Sequence, residues 1–277
     1  MQQGNPTSLR VPDPGVADLL AQDARWQAWL DVEAALAKAE AELQMIPGPA
    51  AEEIVRKCDL SLFDRARLTE GFQRTGHSLV PLIWELSRLC DGDAGNYVHW
   101  GATTQNITQT GDLLQLRKVH RVFLRQIGAI LAALADLAER SKDMALPGRT
   151  HGQHAVPATY GLKAAVWIDE FARNVERLEQ SEPRVFQAML GGAAGTVASF
   201  GDRGLEVQAR MAAHLEMPPM AVPARNIMDH LAEHIMALAL LAASCGKFAN
   251  EIYTGMKQEF GEVEEPFTAG TVGSSTM

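Results

Sequence analysis

Three long stretches of the chain carry apolar residues every three or four positions, which is the spacing of one buried face of an α-helix. They cover about residues 113–137, 158–182 and 225–260. In the first stretch the apolar positions form a near-heptad seam, which predicts packing along another long helix at a shallow angle. The seam positions are Leu113, Leu116, Phe123, Ile127, Ile130, Leu134 and Leu137. His120 also falls in the seam, and we interpret it as a core histidine with a hydrogen-bonded partner.

Shorter amphipathic segments precede these long stretches. Helical periodicity runs over residues 16–39, and shorter helical segments follow over 50–57, 61–70 and 77–90. A turn cluster at 91–96 then interrupts the pattern. No strand pattern of useful length is present, so we predict an all-α fold.

The predicted chain has two domains. We expect an N-terminal helical domain over residues 1–97 and a central long-helix bundle over 98–277 that ends in a flexible segment. A helix over 225–260 would be on the order of 50 Å long at about 1.5 Å per residue. Helices of that length cannot bury their apolar faces in a small globule. We therefore expect partner subunits to complete the bundle.

The charge, the cysteines and the apolar runs of the chain argue against several kinds of binding partner. Of the 277 residues 47% are hydrophobic, and the net charge of −9 argues against nucleic acid as the main partner. The three cysteines, Cys58, Cys90 and Cys245, are far apart and form no CxxC pair, which favours a reducing cytoplasm and no metal site. No secretion-signal pattern and no apolar run approaching membrane-spanning length is evident, so we expect no membrane partner.

The segment at 148–155, Gly-Arg-Thr-His-Gly-Gln-His-Ala, concentrates polar chemistry between two helical patterns. Pro147 and Gly148 end the first pattern, and Pro157 stands where a new helix can begin. The segment offers a cation, a hydroxyl, an amide and two imidazoles that titrate near neutral pH. That set suits binding a carboxylate and moving a proton. The alternative is a solvated helix connection whose histidines only cap or hydrogen-bond.

Two further segments are rich in small residues. Residues 190–196 contain three glycines but lack the GK[ST] sequence of a phosphate loop, so we interpret them as a break where backbone passes close to another chain or a ligand. Residues 269–277 are small and hydroxyl-rich, and composition alone would predict a disordered tail.

Taken together, three motifs resemble the fumarase/aspartase superfamily. They are VHWGATTQN at 98–106, GRTHGQHAVP at 148–157 and GTVGSSTM at 270–277, in that order and separated by long helices. The branch they resemble most holds adenylosuccinate lyase and 3-carboxy-cis,cis-muconate cycloisomerase. The resemblance covers nearly the whole chain and begins at WLDVEAAL, residues 29–36.

The resemblance implies an anti β-elimination that releases fumarate from a succinyl compound. Ser274 would be the base that removes the C–H proton, and His151 would be, or relay to, the acid that protonates the leaving group. The remaining implied positions contact the substrate: His99, Thr103, Thr104, Thr150, Gln153 and Ser275. The resemblance also implies a homotetramer with shared active sites and no metal or organic cofactor.

The chain departs from the family pattern at several places. The family signature GSSxMPxKxN stops here at Met277, so we expect a C-terminally truncated chain without the family lysine and the final helices. Asn106 and Gln109 replace two family aspartates. The segment at 228–233 lacks two arginines found in the adenylosuccinate lyase branch, which argues against a nucleotide substrate.

We therefore predict a lyase that acts on a succinyl-type polycarboxylate. The first alternative is a 3-carboxy-cis,cis-muconate cycloisomerase, which would form a lactone and no fumarate. The second alternative, of another class, is a non-catalytic helical oligomeric scaffold that kept the bundle and lost the chemistry.

Overall fold

The computed structural model describes residues 11–224, 226–266, 270 and 272–274. The prediction of an all-α fold is confirmed: long helices dominate, and α6, α7 and α9 contain 37, 26 and 27 residues. The helices are α1 (Val16–Leu19), α2 (Gln22–Glu42), α3 (Gly48–Lys57), α4 (Arg65–Thr75), α5 (Val80–Leu89), α6 (Thr104–Arg140), α7 (Tyr160–Val185), α8 (Gly204–His214) and α9 (Asp229–Gly255). Short 3-10 turns lie at Leu60–Leu62, Ala94–Tyr97 and Ala198–Arg203.

A β-hairpin joins α6 to α7, and the expectation of no strand was wrong here. Strand β1 (Ala145–Thr150) pairs antiparallel with β2 (Gln153–Thr159). Pro147 lies opposite Pro157 in the ladder, so Pro157 belongs to a strand and does not begin a helix. Most hairpin residues are exposed or half-buried. With neither face fully buried, these strands have no apolar alternation that sequence could reveal.

The chain separates into two compact units. The first contains residues 1–126 and 180–233, and the second contains 127–179 and 234–277. The domain boundary expected at residue 97 stays a prediction.

Helix α2 runs through the core of the first unit. Its residues Trp29, Leu30 and Leu36 are at most 2% exposed. Trp29 packs directly on Gly111 of α6, where a Cβ atom would lie 2.5 Å from the indole ring. The indole N–H also donates to Asp112 at 3.0 Å. Only a glycine at 111 lets α6 approach α2 this closely.

Two glutamates lie inside this apolar core, one heptad apart on α2. Glu33 and Glu40 are each 1% exposed, and neither carboxyl oxygen of Glu40 has a hydrogen-bond partner among the described residues. Burial, and secondarily the negative charge of Glu33, raises the pKa of Glu40 to about 9. Glu40 is therefore protonated at neutral pH.

We expect Glu40→Gln to raise the thermal melting temperature, by an amount that grows between pH 6 and pH 9. The pKa of Glu40 rises on folding from its ordinary 4.5 to about 9. Its contribution to stability is therefore fully present below pH 4.5 and declines by roughly 1.4 kcal/mol per pH unit until the folded pKa is passed. Glutamine keeps the shape and does not titrate. Melting curves of both proteins across this range test the prediction, and a difference that stays constant with pH would contradict it.

The second unit is held by aromatic contacts between α7 and α9. Phe248 of α9 packs edge-on against Trp167 and Phe171 of α7, with ring centroids 4.9 and 6.2 Å apart. Asn174 donates to the Ser244 hydroxyl at 3.0 Å between the same helices. These contacts use the apolar stripes that the helical periodicity predicts.

Gly161 permits a close backbone approach at the start of α7. A Cβ atom there would lie 2.6 Å from the Ala138 carbonyl oxygen and 2.6 Å from Lys142 Cα. We expect Gly161→Ala to destabilise the fold by about 1–3 kcal/mol, because backbone atoms must move. Gly128→Ala is the matched control. It lies inside α6 with open space around it, so alanine should stabilise by up to about 1 kcal/mol. Denaturant midpoints measure both, and equal effects would contradict the steric account.

Among the described residues, α9 alone is long and apolar enough to cross a membrane by length and composition. The expectation that no apolar run approaches spanning length was therefore wrong. One such helix is weak evidence for a membrane, because helices buried in protein cores have the same composition. Little of the apolar stretch is covered within the chain, and large exposed side chains on it include Ile235, Met236, Leu240 and Tyr253.

Candidate active site

The N-terminus of α6 carries the first group of predicted site residues. Thr103 precedes the helix, and its backbone N–H donates to Asn106 Oδ1 at 3.0 Å. Asn106 is fully buried and also donates to Met189 Sδ at 3.0 Å, so the amide holds the helix start where the family has a carboxylate. Thr103 and Thr104 thus stand at the positive end of a 37-residue helix, where the helix dipole favours an anion.

His77, which the sequence analysis did not assign to the site, meets this helix end. Its Nε2 lies 3.5 Å from Thr104 Oγ1. Its Nδ1 accepts the backbone N–H groups of Leu79 and Val80 at 3.2 and 3.1 Å, which requires Nδ1 to be unprotonated. A neutral His77 therefore carries its proton on Nε2, toward Thr104. The only sequence signal was a histidine just before a Pro-containing helix start.

His99 lies in the loop before α6, and the buried Glu33 of α2 contacts its ring. Its Nδ1 is 2.6 Å from Glu33 Oε1, and its side chain is 21% exposed. Burial alone would lower the pKa of His99, but attraction to the Glu33 carboxylate and the hydrogen bond together raise it. His99 also has a positive φ of 63°. The sequence predicted a site histidine here but gave no sign of its carboxylate partner.

The glycine-rich segment lies against the same region of the first unit, where its backbone passes close to other backbone of this chain. The expected approach to another chain or a ligand stays a prediction. A Cβ atom on Gly192 would lie 3.3 Å from the Gly101 carbonyl oxygen, and one on Gly195 would lie 2.8 Å from the Pro223 carbonyl oxygen. Beside it is an open cleft of about 470 Å³, lined at the α6 end by Gln105. The cleft therefore adjoins the anion-favouring end of α6.

The hairpin carries a second group of predicted site residues, in the second unit. His151 and Gly152 form its two-residue turn, with φ of 50° and 71°, as in the type I′ turns that suit a tight hairpin. Thr150 and Gln153 face each other across the turn, and all four residues are exposed. The polar segment expected between two helical patterns therefore forms the tip of a hairpin of two strands.

An ion-pair cluster ties the first strand of the hairpin, near its tip, to the segment after α9. Arg149 Nη1 donates to Glu262 Oε1 at 2.5 Å, and the guanidinium lies 4.8 Å from the centre of the Phe260 ring. Lys163 Nζ lies 2.5 Å from Glu251 and 3.4 Å from the same Glu262. Burial opposes ionisation of Glu262, yet the hydrogen bond and charge of Arg149, with Lys163, lower its pKa. Glu262 belongs to the segment that follows α9 and leads toward residue 270.

Ser274 is exposed on that segment, in the same unit as His151. Ser275 lies outside the described residues. The predicted site residues thus fall into two groups: His99, Thr103 and Thr104 in the first unit, and Thr150, His151, Gln153 and Ser274 in the second. Within the described part of the chain, no group of three or more His, Cys, Asp or Glu side chains is placed to hold a metal ion.

Two named lyases are similar in sequence to nearly the whole chain. The chain is 42% identical over 92% of its length to the N-acetyl-S-(2-succino)cysteine lyase of Enterococcus italicus. It is 41% identical over 99% of its length to the adenylosuccinate lyase of Methanothermobacter thermautotrophicus. The chain spans 56% and 61% of the lengths of these two relatives.

A solved structure agrees with the fold. The 3-carboxy-cis,cis-muconate lactonizing enzyme from Pseudomonas putida superposes with a TM-score of 0.88 at 33% identity, covering 96% of this chain and 61% of that one. A model of the family described as Lyase matches residues 10–277. The chain therefore belongs to this Lyase family, within the fumarase/aspartase superfamily.

Proposed function

We propose that the full-length protein is a lyase that eliminates an amine or thiol from a succinyl-type polycarboxylate and releases fumarate. The observation that carries this proposal is the N-terminus of α6, where Thr104 lies beside His77 and Thr103 directly precedes the positive end of a long helix. That arrangement suits a carboxylate. Two relatives carry names of succinyl-group lyases, one with an N-linked and one with an S-linked succinyl group.

The proposed reaction needs a base and an acid. Ser274, as its alkoxide, takes the proton from the carbon next to a carboxylate and becomes a hydroxyl. The electron pair of the broken C–H bond forms the new double bond as the carbon–nitrogen or carbon–sulfur bond breaks. His151 gives a proton to the departing atom. The hydroxyls at 103, 104 and 150 and the Gln153 amide bind the carboxylates, whose negative charge increases as the proton leaves.

Assembly as a homotetramer is part of the proposal. On α9 the side chains of Ile235, Met236, Leu240 and Tyr253 are each at least 50% exposed, and exposed apolar patches mark sites of protein association. Copies of this chain would cover it and bring the two groups of site residues together from different subunits. Sedimentation of the full-length protein tests the number of copies.

A substrate panel tests the reaction. The full-length protein is incubated with adenylosuccinate, N-acetyl-S-(2-succino)cysteine and simpler N- and S-succinyl compounds, and fumarate is followed by its ultraviolet absorbance. Fumarate from at least one compound supports the proposal. No fumarate from any of them, together with no rise in melting temperature on adding fumarate or succinate, favours the non-catalytic scaffold.

The second candidate is a cycloisomerase. It is favoured by the TM-score of 0.88 to the muconate lactonizing enzyme. Its reaction also involves a carboxylate and a proton on carbon, but closes a lactone ring and releases no fumarate. Loss of the 3-carboxymuconate absorbance without fumarate production would identify this activity in the same panel.

A further inference from the structure

Glu33 is an unusual residue for the centre of a packed helix. It lies between Leu30 and Leu36 on α2 and is 1% exposed. A buried carboxylate is costly unless a partner compensates its charge. Its partner is His99 Nδ1 at 2.6 Å, a distance typical of a charge-assisted hydrogen bond. The two residues are 66 positions apart in the chain.

We propose that Glu33 is a positioning residue for the elimination reaction: its carboxylate holds the His99 ring by Nδ1 and leaves Nε2 for the substrate. This inference rests on the proposed function, because it assumes that the loop before α6 is part of the substrate site. It assigns a role to a core residue that lies outside the three motifs.

The backbone around His99 supports a specifically held ring. His99 has φ 63°, a left-handed conformation that is unfavourable for a residue with a side chain. Two residues later, Gly101 also has positive φ, and a Cβ atom there would lie 2.5 Å from the Phe200 ring. The loop is thus confined by Phe200 on one side and by Glu33 on the other. A strained, confined backbone under a half-buried histidine is more typical of a site than of a simple turn.

Despite burial, attraction to Glu33, together with their hydrogen bond, raises the pKa of His99 and so favours its protonated form. Glu40, the other acid inside α2, is neutral at pH 7 and does not compete for the proton of His99. Cys58, at the end of α3, also interacts with the charge of Glu33. Burial, and secondarily that charge, raises the pKa of its thiol, so it stays neutral too. A proton on the His99 ring would add to the positive end of α6 in attracting a polycarboxylate.

The test uses Glu33→Gln, Glu33→Asp and, as a matched control, Glu40→Gln in the full-length protein. Glu40→Gln is the same substitution at an equally buried position of the same helix. We expect Glu33→Gln to lower kcat by at least about tenfold. The loss should be smaller than the roughly 10⁴-fold loss seen when the orienting carboxylate of a catalytic triad is removed. Glu33→Asp should recover part of the loss, and Glu40→Gln should keep the wild-type rate.

A second measurement does not depend on turnover. Deuterium exchange at histidine C2, read by mass spectrometry, gives a titration midpoint for each imidazole. The His99 midpoint should fall by about one pH unit or more in Glu33→Gln, because the ring loses its counter-charge and stays desolvated. It should remain in place in Glu40→Gln. If no substrate is turned over, the proposed function fails, and this measurement still judges the pairing.

Three results would overturn the inference. One is wild-type turnover in Glu33→Gln. Another is an equal loss of rate in Glu33→Gln and Glu40→Gln, which would indicate a general effect of disturbing α2. The third is a His99 midpoint that does not move when Glu33 loses its charge.

Discussion

Replacing Ser274 by alanine in the full-length protein should lower kcat by about 10²–10⁴-fold, the usual contribution of a positioned proton-transfer group. Ser274 is exposed at the end of the described chain, so its hydroxyl adds little to the folded core and the melting temperature should not change. Ser61→Ala, at another exposed serine outside the site, is the control and should keep the wild-type rate.

Isotope exchange makes this prediction specific to a base. In deuterated water an enzyme that removes the substrate C–H proton reversibly also washes deuterium into unreacted substrate. Ser274→Ala should lose this exchange together with fumarate formation. Persistence of the exchange at the wild-type rate would mean that another group takes the proton, and Ser274 would lose its assigned role.

Replacing His151 by asparagine is the second large effect that we expect. Fumarate formation should again fall by about 10²–10⁴-fold, because no acid protonates the leaving atom. Asparagine tolerates the left-handed conformation that His151 adopts at φ 50°, so the hairpin turn should survive. His214→Gln, which changes a histidine paired with Glu42 on the surface, is the matched control.

The two substitutions should differ in one respect. An acid acts on the leaving group, so His151→Asn should retain deuterium exchange at the substrate carbon while losing elimination. A substrate analogue with a better leaving group should also restore part of the elimination rate that His151→Asn loses. If His151→Asn forms fumarate as fast as the wild type, or if a better leaving group gives no recovery, the acid is another residue.

Sequence periodicity predicted the helices well, because a helix with one buried face has apolar residues every three or four positions. The seam of α6 is an example. His120 in that seam is fully buried, and its Nε2 lies 2.9 Å from Glu182, as expected of a core histidine. The hairpin was missed for the opposite reason. Strands with exposed faces, paired through backbone hydrogen bonds, show no alternation of apolar and polar residues in the sequence.

The candidate site residues that the sequence indicates lie in local motifs, whereas their distant partners leave no local pattern. The polar segment at 148–155 could be recognised from adjacent residues. Glu33 could not be matched to His99, because it looks like one more charge on an amphipathic helix until the fold places it in the core. His77 was missed in the same way, since its contact with Thr104 spans 27 positions.

The ion pair between Arg149 and Glu262 has a consequence for protein engineering. The hairpin over residues 145–159 looks like a self-contained cassette that could be exchanged among relatives to change the leaving group accepted. Its first strand, however, is fastened to a residue more than a hundred positions away. A chimaera that imports the hairpin without a matching acid at 262 would leave a half-buried guanidinium without its carboxylate partner, so the two segments should be grafted together.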